Sequence, residues 1–486
     1  MTLALALVSL LASQRPEPDL TRTLEPALVE LVQRHRLPGL AIGVIRDGRV
    51  VYAHGSGEAS RGSGRPITTK SIFHMASVSK LFTATAAMQL VEAGKLELDA
   101  PLTKYLAYFR LAEEESRTIT VRQVLTHTSG FPDVRDYEWD KPQRDEGAAE
   151  RYVRSLASEK LLFAPGRGWS YSNMAFDTMG DVIAKASGMS YDDYVRTHVL
   201  AQLGMASSSF IHAETPGELR TQGHSVAYSK RVDQAPCPVY PYNRRHAPSS
   251  TLNSSVEDMC RFALANLARG ELDGKRILAA KSYDLMWSRD DDTPSIGLAW
   301  ALGDLDGKLV VSHSGGDVGY SSFLILLPAE NLGVVVMSNS DVSPVDEVAL
   351  EVLLAALGEK FSLPIPRVSS EFAFVLENEG MEAASERYFE LHETEPAGWV
   401  FGFHQLDQVC EALLEKERNA EAFEVATLNS DLYPEVGAAF TRLGQTLVAT
   451  GDSDRAREQF EHALQLVPND AAARAGLNKL GQPTGR

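Results

Sequence analysis

A serine and a lysine three residues apart, Ser77 and Lys80, have a spacing that could support nucleophilic chemistry. The apolar residues that follow recur at helical spacing and stop before Gly94, so we predict that Ser77 opens a buried helix. Lys80 would then lie one turn later on the same face, where it could act as the base that a serine hydroxyl needs. Taken alone, the pair is more typical of a helix-capping serine followed by a solvated lysine.

Tyr171 and Asn173 form a second candidate pair. They follow a turn-forming stretch at 163–168 and precede a helix that we predict over 176–186. The chemical interpretation is that a nearby lysine ammonium lowers the pKa of Tyr171, so that it serves as a base. The ordinary interpretation is an aromatic anchor followed by a helix-capping asparagine.

A third candidate group lies where an apolar run at 309–316 ends in two glycines. His313 precedes Gly315 and Gly316, and glycines at the end of a strand let a ligand lie close to the backbone. Taken alone, His313 is more typical of a strand-end histidine whose hydrogen bonds are satisfied.

The candidate residues must be positioned by the strands and helices that surround them in the sequence. Asp47-Gly48 between two short apolar runs predicts a hairpin, and a short helix is expected before the polar turn at Gly130. The charged, aromatic stretch at 133–148 has no clear period and is predicted to be an exposed loop. The two strands of the hairpin are predicted at 40–45 and 49–52, and further strands at 309–316, 323–328 and 333–339.

Length and composition limit the class of protein. The 486 residues predict two or three domains, and 44% hydrophobic with 23% charged residues is typical of a soluble globular protein. The net charge of −18 argues against nucleic acid as a partner. Three widely spaced cysteines and the lack of metal-binding motifs indicate neither a disulfide framework nor a zinc site. The sequence contains no Gly-x-Ser-x-Gly motif, the turn that carries the nucleophile in α/β-hydrolases, so the α/β-hydrolase hypothesis lacks its main evidence.

The two ends of the chain carry different signals. The apolar run from Met1 to Ser13 is too short to span a bilayer and resembles the core of a secretory signal, although a buried helix is the alternative. We therefore predict a signal peptide over 1–18 and export to the periplasm or medium.

Beyond position 371 the chain repeats with a period of about 34 residues, which predicts tetratricopeptide-like helix pairs, preceded by a weaker helical pair at 372–395. The matched positions are Val409 and Leu443, Leu413 and Leu447, Ala422 and Ala456, Leu432 and Leu466, and Pro434 and Pro468.

The three candidate groups together resemble the motifs of penicillin-recognising serine hydrolases. The chain is similar to the class C β-lactamase branch, which also holds D-alanyl-D-alanine carboxypeptidases, D-aminopeptidases and family VIII carboxylesterases. The stretch at 125–130 is similar to a segment common in that branch, and the resemblance covers about residues 20 to 357. The motifs occur in the expected order: Ser77-x-x-Lys80, Tyr171-x-Asn173 and His313-Ser314-Gly315.

The resemblance implies a fold and a domain plan. The fold class is α+β, a β-lactamase/transpeptidase-like fold with a five-stranded antiparallel sheet flanked by helices and a helical subdomain. An all-α tetratricopeptide-like solenoid would follow. The expected domains are a signal peptide at 1–18, the serine hydrolase at 19–362, a linker at 363–370 and the repeats at 371–486.

The resemblance also implies roles for the candidate residues. Ser77 would form the acyl-enzyme, and Lys80 and Tyr171 would together act as the base that takes the Ser77 proton and later activates water. Asn173 would hydrogen-bond to the substrate or to Lys80. The backbone N–H groups of Ser77 and Gly316 would stabilise the oxyanion, each donor being worth about 3 kcal/mol of barrier. No metal or other cofactor is implied.

His313 is the departure from the pattern of most β-lactamases in the branch. They have a lysine there, which gives a fixed cation for the substrate carboxylate, whereas a histidine is only partly charged near neutral pH. His313 and Gly315 would therefore line a site of an esterase or a peptidase/amidase rather than of a strong β-lactamase. The expected substrate is a small molecule or a peptide.

The alternative hypothesis is a catalytically weak penicillin-binding or regulatory sensor, whose helical repeats dock a protein partner. Ser77, Lys80 and Tyr171 are all present, which argues for an enzyme.

Overall fold

The computed structural model describes residues 19–227, 229–289 and 295–481, in two compact units. Of the described residues, the sheet unit holds those within 19–32, 37–224 and 236–364. The helical unit holds the described residues within 33–36, 225–235 and 365–481. The predicted signal peptide at 1–18 lies outside the described residues. Within the described ranges, no helix has both the length and the apolar character needed to cross a membrane.

The strands are described by their order along the chain. They are β1 (Gly39–Arg46), β2 (Arg49–Gly57), β3 (Phe73–His74), β4 (His224–Ser225), β5 (Ala235–Pro236), β6 (Asn253–Ser254), β7 (Glu271–Leu272), β8 (Lys275–Arg276), β9 (Ala301–Leu305), β10 (Lys308–Asp317), β11 (Tyr320–Leu327) and β12 (Leu332–Ser338).

The α-helices of the sheet unit are α1 (Leu20–Arg34), α2 (Ser79–Glu92), α3 (Val121–Leu125), α4 (Ala148–Ser155), α5 (Asn173–Ser187), α6 (Tyr191–Val195), α7 (Ala201–Leu203), α8 (Ala247–Ser250), α9 (Val256–Leu267), α10 (Ala280–Met286) and α11 (Val345–Ala356). The last residues of α1 belong to the helical unit. That unit contains α12 (Val368–Glu379), α13 (Met381–Thr394), α14 (Phe403–Glu415), α15 (Asn419–Leu432), α16 (Gly437–Thr450), α17 (Ser453–Leu466) and α18 (Ala471–Leu480).

The main sheet is antiparallel, with the strand order β2-β1-β12-β11-β10-β9. The hairpin predicted at Asp47-Gly48 is confirmed. The sheet has six strands where the resemblance implied five. The strand that was not predicted, β9, has the sequence Ala-Leu-Gly-Asp-Leu, which gives no clean apolar alternation.

Both faces of the sheet are buried at its central strands β1, β11 and β12, which explains why β1 is apolar at nearly every position. Ala41 and Ile45 belong to the core that also contains apolar residues of α2, α5 and α9. Leu40 and Ile42 face the other core, which includes residues of α1 and α11. The strand β10 pairs with β11, and buried residues alternate with more exposed ones towards its end, which reaches the candidate site.

Two of the predicted elements differ from the observed ones near the site. The helix predicted to open at Ser77 begins at Ser79, and a 3-10 turn at Ala76–Val78 precedes it. The stretch at 133–148 has no helix or strand before α4, but it is not wholly exposed as predicted. Trp139 is buried there, and its ring stacks on Tyr137 with centroids 4.7 Å apart and meets His246 edge-on at 5.6 Å.

The helical unit is all-α apart from its short connecting segments. The starts of α14 and α16, and those of α15 and α17, are each offset by the predicted period. Lys416 Nζ donates to the carbonyl oxygens of Val226 and Ser229 within this unit, both at 2.8 Å. The helix α12 begins at Val368, inside the predicted linker, and the domain limits and the tetratricopeptide assignment stay predictions.

Candidate active site

Ser77 lies in a strained turn between β3 and α2. The residue before it, Ala76, has a φ of +45°, a left-handed conformation that costs free energy for a residue with a Cβ. Two neighbouring interactions maintain this backbone conformation: β3 pairs with β6, and the Met75 N–H donates to the Leu252 carbonyl at 2.7 Å. The result is a serine that is partly exposed on an otherwise buried segment.

Lys80 is fully buried, and its ammonium contacts three neutral acceptors. Nζ lies 3.0 Å from Ser77 Oγ, 2.6 Å from Asn173 Oδ1 and 2.8 Å from the carbonyl oxygen of Ser249. The first two contacts join the residues that the sequence predicted. Ser249 was missed, because a backbone carbonyl leaves no trace in residue type.

Burial lowers the pKa of Lys80 from its ordinary value of 10.5 to about 7. The charges of Asp177, Asp133 and Asp317 oppose that shift, since each favours the ammonium form. At neutral pH a large fraction of Lys80 is therefore the free amine, which can accept a proton from the Ser77 hydroxyl.

Tyr171 hydrogen-bonds to Ser77, but the predicted direction of its pKa shift was wrong. Burial raises the pKa of Tyr171 well above its ordinary value of 10. The nearby charges of Asp133 and Asp177 raise it further, while Lys80 Nζ lies 4.9 Å from the centroid of the Tyr171 ring, a cation–π position. Tyr171 is thus a protonated phenol, and Lys80 is the group whose pKa is suited to a base.

Asn173 is the first residue of α5, and Asp133 fixes its orientation. The backbone N–H of Asn173 donates to Asp133 Oδ1 at 2.7 Å, and its Nδ2 donates to Asp133 Oδ2 at 3.2 Å. The amide oxygen therefore faces Lys80. Asp133 lies in the stretch predicted to be a loop, and no spacing in the sequence connected it with Asn173.

A second buried network lies one turn along α5. Asp177 Oδ2 accepts a hydrogen bond from His246 Nδ1 at 2.6 Å, and both side chains are fully buried. Arg245 Nε donates to His246 Nε2 at 2.9 Å. These residues do not contact the Ser77 hydroxyl, but the charge of Asp177 acts on Lys80.

His313 is buried and lies 6.5 Å from Tyr171, measured between ring centroids. Burial, with a smaller contribution from Lys80, lowers the pKa of His313 to about 4, so the imidazole is neutral at physiological pH. Nδ1 lies 2.6 Å from the carbonyl oxygen of Ser314 and must donate to it. The proton of the neutral ring is therefore on Nδ1, and Nε2 is an acceptor.

Gly315 and Gly316 follow His313 on β10 and differ in their surroundings. A Cβ on Gly315 would lie 2.3 Å from the carbonyl oxygen of Met75 and 3.2 Å from the backbone nitrogen of Ser77, so only glycine fits. A Cβ on Gly316 would meet no atom within 4 Å. The pairing of β9 with β10 ends at Ser312, so the alternating hydrogen bonds of the ladder leave the Gly316 N–H on a free edge.

The structure thus brings all the predicted site residues together at the junction of β10, α2 and α5. Among the described residues, no group of three His, Cys, Asp or Glu side chains is close enough to hold a metal ion.

Comparisons with known proteins agree with this architecture. Residues 24–359 match the model of the β-lactamase family. The chain is 31% identical over 345 residues to Penicillin-binding protein 4 of Amycolatopsis lactamdurans, which covers 69% of this chain and 88% of that protein. It is 34% identical over 218 residues to Esterase EstB of Burkholderia gladioli, which covers 40% of this chain and 53% of that protein.

Among solved structures, the chain is similar to the octameric penicillin-binding protein homologue from Pyrococcus abyssi. The TM-score is 0.60 at 27% identity, covering 74% of this chain and 81% of that one. The family model spans well over half of the sequence, and an acyl-enzyme mechanism is general to its members. The chain therefore belongs to the β-lactamase family and is a serine hydrolase.

Proposed function

We propose that Ser77 is the nucleophile of an esterase or amidase that acts on small neutral substrates. The observation that carries the proposal is the 3.0 Å contact between Ser77 Oγ and Lys80 Nζ, a buried amine with a pKa of about 7. A serine with an amine base in hydrogen-bond reach is an activated nucleophile.

The acylation step follows from this pair. Lys80 takes the proton of the Ser77 hydroxyl while Oγ attacks the substrate carbonyl, whose oxygen becomes an oxyanion. The N–H groups of Ser77 and Gly316 stabilise that oxyanion, each contributing about 3 kcal/mol. The bond to the leaving group then breaks, Lys80 returns the proton to the leaving atom, and the phenol of Tyr171 donates a hydrogen bond to it.

Deacylation uses the same groups. Lys80 takes a proton from a water molecule as the water oxygen attacks the acyl carbon. The ester bond to Ser77 Oγ breaks, and Lys80 gives the proton back to Oγ. Asn173, fixed by Asp133, keeps Lys80 in place through both steps.

The substrate class follows from the charges of the site. His313 is neutral and accepts at Nε2, so it offers no cation to a substrate carboxylate. Asp133 is exposed beside Asn173 and adds a negative charge at the rim. Esters and amides without a carboxylate are favoured over anionic β-lactams, and the esterase among the relatives supports this choice.

The nucleophile can be tested by labelling with a fluorescent fluorophosphonate. We expect wild type to be labelled and Ser77→Ala to be unlabelled and inactive. The matched control is Ser79→Ala, because Ser79 Oγ accepts from the Leu252 N–H at 2.9 Å and should be needed for stability only. Labelling of Ser77→Ala would refute the assignment. A folded wild type that neither this probe nor a fluorescent penicillin labels would favour the sensor hypothesis.

The substrate preference can be tested with p-nitrophenyl butyrate and nitrocefin. We expect ester hydrolysis with weak or absent nitrocefin turnover. His313→Lys should raise the nitrocefin-to-ester ratio of kcat/KM by about 10-fold or more, since a charge-assisted hydrogen bond is worth about 1.5–3 kcal/mol. A wild type that prefers nitrocefin by a wide margin would contradict the proposal.

We also propose that the helical unit is a tetratricopeptide-like solenoid that can dock a protein partner, and that the chain is exported. The equal offset between successive pairs of helix starts supports the first statement. The apolar run at 1–13 and the penicillin-binding relatives support the second.

A further inference from the structure

One residue holds the backbone on both sides of Tyr171. The N–H of Ser170 donates to the carbonyl oxygen of His127 at 3.0 Å, and the N–H of Ser172 donates to His127 Nδ1 at 3.1 Å. His127 lies far from Tyr171 along the chain, in the stretch at 125–130 that the proposed chemistry does not use.

The imidazole of His127 also packs on the phenol itself. The two rings are stacked, with centroids 4.3 Å apart and an interplanar angle of 28°. His127 is fully buried and has a φ of +59°, a left-handed conformation that histidine tolerates better than most residues. Its own backbone N–H donates to the Val124 carbonyl at 3.1 Å, so the last turn of α3 fixes the backbone from which the ring projects.

The hydrogen bonding of His127 excludes it from proton transfer. Because Nδ1 accepts the Ser172 N–H, the proton of the neutral ring must be on Nε2. Nε2 is buried and has no hydrogen-bond partner among the described residues. Burial, followed by the charge of Lys80, also lowers the pKa of His127 well below its ordinary value. The ring is thus neutral and has neither a free lone pair nor a route for its proton.

We propose that His127 is a positioning residue that fixes the Tyr171 ring, and through it the hydrogen bond between the Tyr171 hydroxyl and Ser77. This inference rests on the proposed function of Ser77 and Tyr171. It assigns a role to the stretch at 125–130, which supplies a clamp for the backbone and a flat surface for the ring.

A double-mutant cycle tests the inference. In the full chain, His127→Asn keeps a residue that tolerates the left-handed conformation but removes the ring. We expect kcat/KM for p-nitrophenyl butyrate to fall about 100-fold in the wild-type background, the typical cost of a small misplacement of a reacting group. In the Tyr171→Phe background the hydroxyl is already absent, so the same change should cost less than about 3-fold. Equal losses in both backgrounds would overturn the inference.

A second variant and a control separate positioning from loss of structure. His127→Phe keeps a ring against Tyr171 but removes the Nδ1 acceptor, and it should show the same dependence on the background if His127→Asn does not fold. The control is His198→Asn, because His198 stacks on Tyr194 with centroids 4.3 Å apart and should not affect kcat/KM. Should Ser77→Ala remain active, the proposed function fails; additive losses with Ser77 still essential refute only the role of His127.

Discussion

The interiors of the two units differ in chemistry. Around the candidate site, the sheet unit buries Lys80, Asn173, Asp177 and His313, four polar or ionisable side chains. The core of the helical unit is mostly apolar, with Phe460 1% exposed, and the buried Glu371 there is ion-paired. Burying a polar group costs stability unless its hydrogen bonds are satisfied, so we infer that the first interior is kept for chemistry and the second for packing.

Two close approaches of a glycine illustrate the same difference. A Cβ on Gly315 would collide with backbone atoms beside Ser77, whereas a Cβ on Gly444 would meet the ring of Phe460 at 2.6 Å. In the sheet unit the small residue brings a strand against the nucleophile. In the helical unit it lets one helix approach the next.

The largest effect that separates the two interiors should come from the glycine pair of β10. Gly315→Ala should push the Ser77 turn away from the strand, with the loss of both the attack geometry and an oxyanion donor. We expect kcat/KM for p-nitrophenyl butyrate to fall about 10⁴-fold, from roughly 100-fold for each effect.

The adjacent Gly316→Ala is the control for that substitution. Its Cβ would enter open space, and the backbone N–H would remain, so we expect less than about a 10-fold loss. The contrast fails if Gly316→Ala is as inactive as Gly315→Ala, or if Gly315→Ala retains wild-type rates.

A cavity in the helical unit should affect stability rather than chemistry. Phe460 lies between Gly444 and Gly476, so Phe460→Ala leaves a space that glycines cannot fill. We expect the free energy of unfolding of the helical unit to fall by about 3–5 kcal/mol, measured by circular dichroism in urea. Rates per labelled active site should stay within about 2-fold of wild type. A large drop in those rates would show that the chemistry depends on this core.

The part of the molecule that could be predicted from the sequence is the part that depends on local pattern. The repeat period predicted the helix offsets of the second unit, because repeated helix pairs pack with the same spacing. The hairpin at Asp47-Gly48 followed from turn chemistry. The three ordered motifs predicted which side chains meet, although the first and the last lie in distant parts of the chain.

Tertiary contacts decided what the sequence could not predict. The Ser249 carbonyl reaches Lys80 from a distant part of the chain, and Asp133 reaches Asn173 from a stretch without a period. How deeply the fold buries the hydroxyl of a tyrosine depends on tertiary packing, and burial is the main cause that raises the pKa of Tyr171. For this reason the direction of the Tyr171 pKa shift was predicted incorrectly.

Replacing the buried amine should stabilise the sheet unit, although the amine is the base of the proposed mechanism. Lys80→Met removes an ionisable group from a fully buried site, and we expect a gain of about 1–2 kcal/mol at pH 7 in the free energy of unfolding. The pKa of Lys80 falls from 10.5 in the unfolded chain to about 7 in the folded one. The folded wild type therefore binds fewer protons than the unfolded chain between these values, and its stability rises with pH.

The stability gain of Lys80→Met should thus be greatest at and below pH 7 and smaller at pH 9. Urea unfolding of both proteins at pH 6, 7 and 9 measures it. A variant that is less stable than wild type at every pH would show that the three hydrogen bonds of Nζ outweigh the cost of burying it.

The smallest expected effect concerns how the buried carboxylate on α5 adjusts the base. The pKa of Lys80 is held up by the charge of Asp177, against the larger effect of burial, so Asp177→Asn should lower that pKa further. Since the free amine is the active form, kcat/KM of the wild type should increase with pH around the Lys80 pKa of about 7. In Asp177→Asn this increase should occur at a pH that is lower by less than about one unit. Asn can still accept the hydrogen bond from His246 Nδ1, so the packing of the network is retained.

The matched control is Asp181→Asn on the next turn of α5, whose carboxylate accepts a hydrogen bond from Tyr108 and is not among the charges that act on Lys80. An acid limb that stays in place in Asp177→Asn, or that moves equally in both variants, would show that Lys80 is not the group that limits the rate at low pH.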